Sequence, residues 1–240
     1  MKLTILLGIF GVVLAGTSSA APLCTFGTIA SYEALGAGGC VIGDKVFSNF
    51  VYASTSGGTG VAVADTAVFV TPVVPVGPNL YSPGPGLIFS SAGWFVPSAS
   101  TTSPSFVDSS FSFTVTVMNS AAALLEDGTL ILSSYAVSGT GLADITETIN
   151  PASIQLQVDS AGPFTDHKSF TPTTSVNVLK DLLVAVPRDR TGNGAGTAQI
   201  FSFEEDFSQV SSAPEPVGSF LIGSGLLALG FWRSRAARRG

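Results

Sequence analysis

The run Phe111-Ser-Phe-Thr-Val-Thr-Val-Met118 alternates without a fault. Phe111, Phe113, Val115 and Val117 fall on one side of an extended chain, and Ser112, Thr114 and Thr116 fall on the other. Side chains of a strand alternate faces, so this period predicts a strand with one face in a core and one in water. Ser153-Ile-Gln-Leu-Gln-Val-Asp159 repeats it, with Ile154, Leu156 and Val158 inward and Gln155 and Gln157 outward. Further strands are expected over Lys45–Ala53, Gly60–Val70, Leu87–Ser90, Thr129–Ser138, Asp144–Ile149, Val176–Val186 and Ala198–Phe203.

Breakers separate these runs: Ser56–Gly60, the proline-rich Thr71–Pro78, Ser82–Gly86, Glu126-Asp-Gly128 and Thr191–Gly196. Glycine and proline at such intervals punctuate a chain into short strands and turns. No long amphipathic helix is present. Ser120–Glu126 reads as a helical stretch or a loop, and Ala30–Gly36 as one helical turn. No fixed-period repeat argues for a solenoid or propeller. The expectation is an all-β domain, an antiparallel β-sandwich or jelly-roll-like barrel, over residues 21–212.

The two ends are different material. Residues 1–20 carry Lys2, an apolar run from Leu3 to Ala15, and Ser18 and Ala20 at the spacing a signal peptidase reads, which predicts an export signal cut after Ala20. At the other end, Val217–Trp232 is apolar or small and free of charge, and Arg233, Arg235, Arg238 and Arg239 follow it. As a helix this run rises about 24 Å, slightly short of a bilayer's hydrocarbon core. The arginines are expected to stay on the cytoplasmic side, with the domain across the membrane.

Half of the ten Lys and Arg residues lie in these two terminal segments. The middle keeps Lys45, Lys168, Lys180, Arg188 and Arg190 against fifteen carboxylates, a net charge of about −10. Such a surface repels phosphate backbones, so nucleic acid is not expected as a partner. The only cysteines, Cys24 and Cys40, follow the export signal closely. In an oxidising compartment the simplest reading is a disulfide, and the alternative is two buried thiols. Two sulfurs and a distant His167 do not supply a structural zinc site, and no metal or cofactor is expected.

Candidate chemistry is sparse. His167 has Asp166 and Ser169 as chain neighbours, but no Gly-x-Ser-x-Gly elbow is present, and a polar turn leading into a strand is the simpler expectation. Asp189-Arg-Thr-Gly-Asn-Gly194 opens like a calcium loop, yet Ile200 stands where the closing Glu belongs, leaving a glycine-rich hairpin or a weak surface calcium site completed by Glu204–Asp206. Glu126 and Asp127 single out no catalytic pair. Trp94, Phe164 and Phe170 are expected in the core, with Trp94 the one aromatic to watch for binding. Catalytic residues: none is expected.

Pro214-Glu-Pro216, the apolar run after it and the arginine-rich end resemble, in that order, the PEP-CTERM sorting signal, also catalogued as the ice-binding protein C-terminal domain. Ala213 stands where the commoner form has Val. The resemblance implies recognition of Pro214, Glu215 and Pro216 by exosortase in a Gram-negative bacterium, removal of the anchor (residues 213–240 forming the signal), and delivery to the cell surface or extracellular polysaccharide. The flat, repeated Thr rows of an ice-binding face are not present. Cys40–Phe50, Val178–Asp181 and Ala198–Phe207 resemble a recurrent class of PEP-CTERM exoproteins of uncharacterised function. That similarity runs from Cys24 onward and implies a β-rich extracellular module without catalytic residues. The expected role is an exported structural or binding protein; a secreted carbohydrate-binding or carbohydrate-active protein is the alternative.

Overall fold

The structure, a computed structural model, describes residues 21–74, 84–98, 103–120, 123–187 and 196–211. It is all-β: two antiparallel sheets share one hydrophobic core. The strands are β1 (Gly27–Thr28), β2 (Cys40–Ile42), β3 (Lys45–Gly57), β4 (Phe69–Val73), β5 (Gly86–Ser90), β6 (Phe95–Val96), β7 (Ser105–Val117), β8 (Ala123–Ser138), β9 (Leu142–Asn150), β10 (Ile154–Asp159), β11 (Thr165–Thr173), β12 (Ser175–Val186), β13 (Thr197–Asp206) and β14 (Gln209–Ser211). One sheet runs β10-β9-β12-β7-β3-β2. The other runs β1-β4-β5-β13-β8-β11, with β6 paired to β13 and β14 to β8.

The alternation of Phe111–Met118 is realised in β7, the 13-residue strand between β3 and β12. Phe111, Phe113, Val115 and Val117 are buried, and the serine and threonines between them are not. In β10, Leu156 and Val158 are buried and Gln155 and Gln157 exposed, as the period requires. Aromatic rings fill the space between the sheets: Phe89 and Phe203 stack at 5.0 Å, and Phe111 meets both edge-on at 5.3 and 5.6 Å. Trp94 packs on Phe111 and Phe203 and is wholly buried, a core residue as expected.

Ile42-Gly-Asp-Lys45 is a tight turn joining β2 to β3, with Gly43 at φ 61°. Within β3 a bulge between Ser48 and Val51 places Asn49 at φ 55°. The inserted residue breaks strict alternation, which brings Phe47 and Phe50, three apart, onto the same core face. The helical turn expected near Ala30 is α1 (Ile29–Glu33), where the Thr28 hydroxyl accepts from the Ser31 amide at 3.3 Å. Tyr32 on α1 packs edge-on against Phe50 and donates to the Thr25 carbonyl at 2.8 Å. Burial pushes its phenol up to about 12.

Three expectations are corrected. Gly60–Val70 does not form a strand throughout; a 3-10 turn occupies Asp65–Ala67, where the Asp65 carboxylate accepts from the adjacent Thr66 amide, and pairing begins at Phe69. Glu126-Asp-Gly128 is not a turn, and Ser120–Glu126 is neither helix nor loop from Ala123 onward, because β8 runs straight through both. Its backbone there is taken up by β11, β13 and β14, so the ladder outweighs local turn chemistry. A Cβ at Gly128 would stand 2.5 Å from Ile149 Cδ1, so a larger residue here would require the end of that side chain to shift.

Cys24 and Cys40 are joined in a disulfide, with Cα atoms 4.8 Å apart, that ties the segment before β1 to β2. The loop it closes spans 16 positions, so replacing both cysteines with serine is expected to cost about 3 kcal/mol in urea unfolding. A change under about 0.5 kcal/mol would mean that the Leu23–Val41 bridge and α1 hold this segment alone.

Candidate functional site

Among the described residues, the candidate catalytic side chains singled out in the sequence do not converge. His167 lies on β11 within the ladder, not in a turn, half exposed; its Nδ1 pairs with the Thr129 hydroxyl at 2.9 Å. Asp166 accepts from the Gln157 amide at 3.0 Å and lies 3.5 Å from Lys168, while Ser169 sits opposite Asp127. These side chains serve three different neighbours, so they form no nucleophile–base relay. Phe164 is 46% exposed and stacks on Tyr135, and Phe170 is only partly buried, so neither is a core residue as expected. Ala20, Pro214, Glu215, Pro216, Arg233, Arg235, Arg238, Arg239 and the Asp189–Gly194 loop lie outside the described residues.

Asp127, expected in a turn, is instead an organising acceptor. It takes the amide of Ser208 at 3.1 Å and the hydroxyl of Ser208, and His167 Nε2 stands 3.9 Å away. The carboxylate lies between serine and histidine, which is the wrong order for activating a nucleophile: the base must touch the hydroxyl itself. Beside it Lys45, fully buried, donates to Gln209 Oε1 at 2.9 Å and to Asp44 at 3.2 Å. Burial lowers the Lys45 ammonium, and Asp44 and Asp127 partly restore it.

Deeper between the sheets is a group that sequence reading did not identify. Lys180 on β12, Glu147 on β9 and Glu205 on β13 meet with no exposed side-chain surface. Lys180 and Glu147 are direct cross-strand partners, and the Lys180 Nζ contacts Glu147 Oε2. From the facing sheet, Glu205 Oε2 reaches the same Nζ at 2.5 Å. The surroundings are apolar: Phe203 has its ring centre 5.7 Å from Nζ, Phe111 pairs with Lys180 across β7, and Leu87 and Leu130 flank Glu205. Burial lowers the Lys180 ammonium and pushes Glu205 up to about 7, the lysine offsetting part of the latter.

The signal for this cluster was parity. In β12, Val176, Val178, Lys180, Leu182 and Val184 share the buried face, and Lys180 is the odd member. Glu147 holds the same place between Ile145 and Ile149.

Asp206 continues the acidic run inward. It is buried, its Oδ1 lacks a partner among the described protein atoms, and Gly86 opposite makes room: a Cβ on Gly86 would stand 2.0 Å from that oxygen. Burial, reinforced by Glu204 and Glu205, pushes Asp206 up to about 8. A carboxyl raised in the folded state stabilises below its ordinary value of 3.8, and that contribution is lost as pH climbs through about 8. Thermal melts are therefore expected to show Asp206→Asn gaining on the parent between pH 5 and pH 9. Parallel curves would mean that Asp206 titrates normally. The comparison isolates this carboxyl from Lys45 and Lys180, whose lowered values slope the opposite way.

Glu205 and Asp206 are both buried, so Glu204 is the member of that run left nearer the surface, and the Asp189–Gly194 half of the alternative calcium site lies outside the described residues. Among the described residues no group of three or more His, Cys, Asp or Glu is arranged to hold a metal, and no helix is long and apolar enough to cross a membrane.

The chain matches no protein-family model and no curated protein. Among solved structures, a GH31 alpha-xylosidase from Xanthomonas citri aligns with 65% of this chain and 23% of its own length, at 7% identity and a TM-score of 0.19, a likeness too slight to bear on fold or activity.

Proposed function

We propose that this chain is an exported, non-enzymatic cell-surface or extracellular-matrix protein, sorted by an exosortase and associated with exopolysaccharide. The observation that carries the reading is the ordered end of the sequence: Pro214-Glu-Pro216, an uncharged apolar run and four arginines, in a chain that also opens with an export signal. The disulfide agrees with an oxidising compartment. The last described strand, β14, reaches Ser211, and the recognition tripeptide begins three residues later in the sequence, at Pro214. Pro214 and Pro216 favour an extended backbone for a membrane enzyme to engage. The signal peptidase and export machinery act first, at Ala20, and the arginine tail holds the anchor until it is removed.

The test is intact-mass spectrometry of the native protein from an exosortase-positive host and from one lacking the enzyme. A chain beginning near Ala21 and ending around Pro214–Pro216, with any attached group, is expected only in the first. A mass that retains Trp232 and the arginines in both hosts would make the tail a permanent anchor and end the sorting reading.

A carbohydrate-binding role on the same sandwich is the second reading. The strand orders β5-β13-β8-β11 and β7-β12-β9-β10 support a jelly roll, an architecture that includes lectin domains. A surface groove of about 690 Å³ between Pro151 and Thr173 adds specific support, because Phe170 offers a ring and Ser169, Thr171 and Thr173 offer hydroxyls. The host's own polysaccharide is expected to retain the protein in a pull-down and to release the Phe170→Ala variant. Equal retention of both would place the contact elsewhere.

A further inference from the structure

We infer that Lys180 and Glu147 become joined by an intramolecular amide, with Glu205 as the proton carrier, so that β9 and β12 are covalently tied inside the core.

The geometry supplies the first requirement. An amine and a carboxyl group that must meet in solution are here held in contact by the pairing of two neighbouring strands, Lys180 directly opposite Glu147. Fixing two reactants this way replaces a bimolecular encounter, with effective concentrations that reach about 10⁵ M or more in well-oriented cases. A third group, Glu205 Oε2, touches the same nitrogen from the opposite sheet at 2.5 Å. All three side chains are fully buried, so bulk water is kept from the reacting atoms.

The electrostatics supply the second. One ammonium and two carboxylates would leave an uncompensated negative charge among Phe111, Phe203, Leu87 and Leu130, which the apolar core penalises strongly. One carboxyl group is therefore protonated, and Glu205, with its raised value, is the group that carries the proton. From ammonium, carboxylate and carboxylic acid, one proton shift yields a neutral amine and two neutral acids, the forms that react. Burial already favours the neutral amine of Lys180.

The step balances within these three side chains. The Nζ lone pair attacks Cδ of Glu147, and the carbonyl electrons move onto oxygen. As the tetrahedral centre collapses, the Cδ–O bond to the hydroxyl breaks. That oxygen takes the acidic proton of Glu205 and leaves as water, while the Glu205 carboxylate receives the proton from Nζ. One C–N bond forms, one C–O bond breaks, one water is released and nothing is oxidised. The product replaces a buried ion pair by a neutral amide that hydrogen-bonds to a neutral acid. Water is poorly held in the apolar core, and its departure draws the reaction forward.

The test is a tryptic map of the full chain, unfolded and disulfide-reduced before digestion, which is indifferent to processing at either end. An acylated lysine resists trypsin. The expected result is no cut after Lys180 and a branched product in which fragment 169–188 is joined to fragment 46–168, lighter than the two together by one water. A complete cut after Lys180, with fragments 46–168, 169–180 and 181–188 at their unmodified masses, overturns the bond. This parent map is decisive whether or not any variant folds. In Glu205→Gln the branched product is expected to disappear and cleavage after Lys180 to return. Its persistence at parental yield would overturn the role of Glu205 while leaving the bond.

Discussion

Measured against the chain in which Lys180 and Glu147 are not yet joined, Lys180→Met is expected to lower stability by about 3–5 kcal/mol, because it removes the cation and leaves two glutamates facing each other in an apolar core. The Lys180, Glu147 and Glu205 side chains expose no surface, so neither carboxylate can turn to water without opening the sandwich. In urea unfolding the loss should appear as a lower midpoint with an unchanged slope, since the area exposed on unfolding is nearly the same. The triple variant Lys180→Met, Glu147→Leu and Glu205→Leu should recover most of the loss, because apolar groups of similar volume carry no desolvation penalty. A single variant within about 1 kcal/mol of the parent would show that water reaches the cluster.

Phe203→Ala should cost a comparable 3–5 kcal/mol for a different reason. Its ring lies against Phe89 at 5.0 Å, Phe111 at 5.6 Å and Trp94 at 5.7 Å, and it covers the Lys180 ammonium. Truncation leaves a void bounded by rings from both sheets, which cannot close by moving one strand. Two residues earlier on the same strand, Phe201 faces outward and is 41% exposed. Phe201→Ala is expected to change stability by less than about 1 kcal/mol. Equal losses at the two positions would mean that the register shift between Ile200 and Glu204 is absent and both rings share one face, and chemical denaturation of the pair decides it.

The strands with unbroken alternation were legible in the sequence because period two leaves no choice of face: β7 and β12 bury the residues that the pattern assigns, and β10 buries Leu156 and Val158 with Ile154 partly buried at its end. Where the ladder inserts a residue, the pattern misleads. The β3 bulge at Asn49 and the irregular pairing of β8 and β13 between Ile200 and Glu204 each shift the parity midway. Asp127-Gly128 has the local chemistry of a turn, and only the strands on either side of β8, distant in sequence, make it a strand. Lys180 and Glu147 were readable as charges at core parity, but their meeting with Glu205 depends on which strands face each other, a matter of sheet order that no local pattern encodes. His167 misled in the opposite sense: its polar neighbours along the chain point to different partners.

A protein held by its C-terminal end feels any pull first at β14. Among the described residues that strand grips β8 through three residue pairs, Gln209 to Ser211 against Ala123 to Leu125. Its release would lengthen the tether by about 10 Å and uncover little of the core. Behind it, Ser208 is fastened to Asp127 through both amide and hydroxyl, while Gln209, the first residue of the strap itself, is held by the buried Lys45. Tension is thus met by a short strap that yields before a firm anchorage does, and the sandwich behind it keeps its shape while the strap gives.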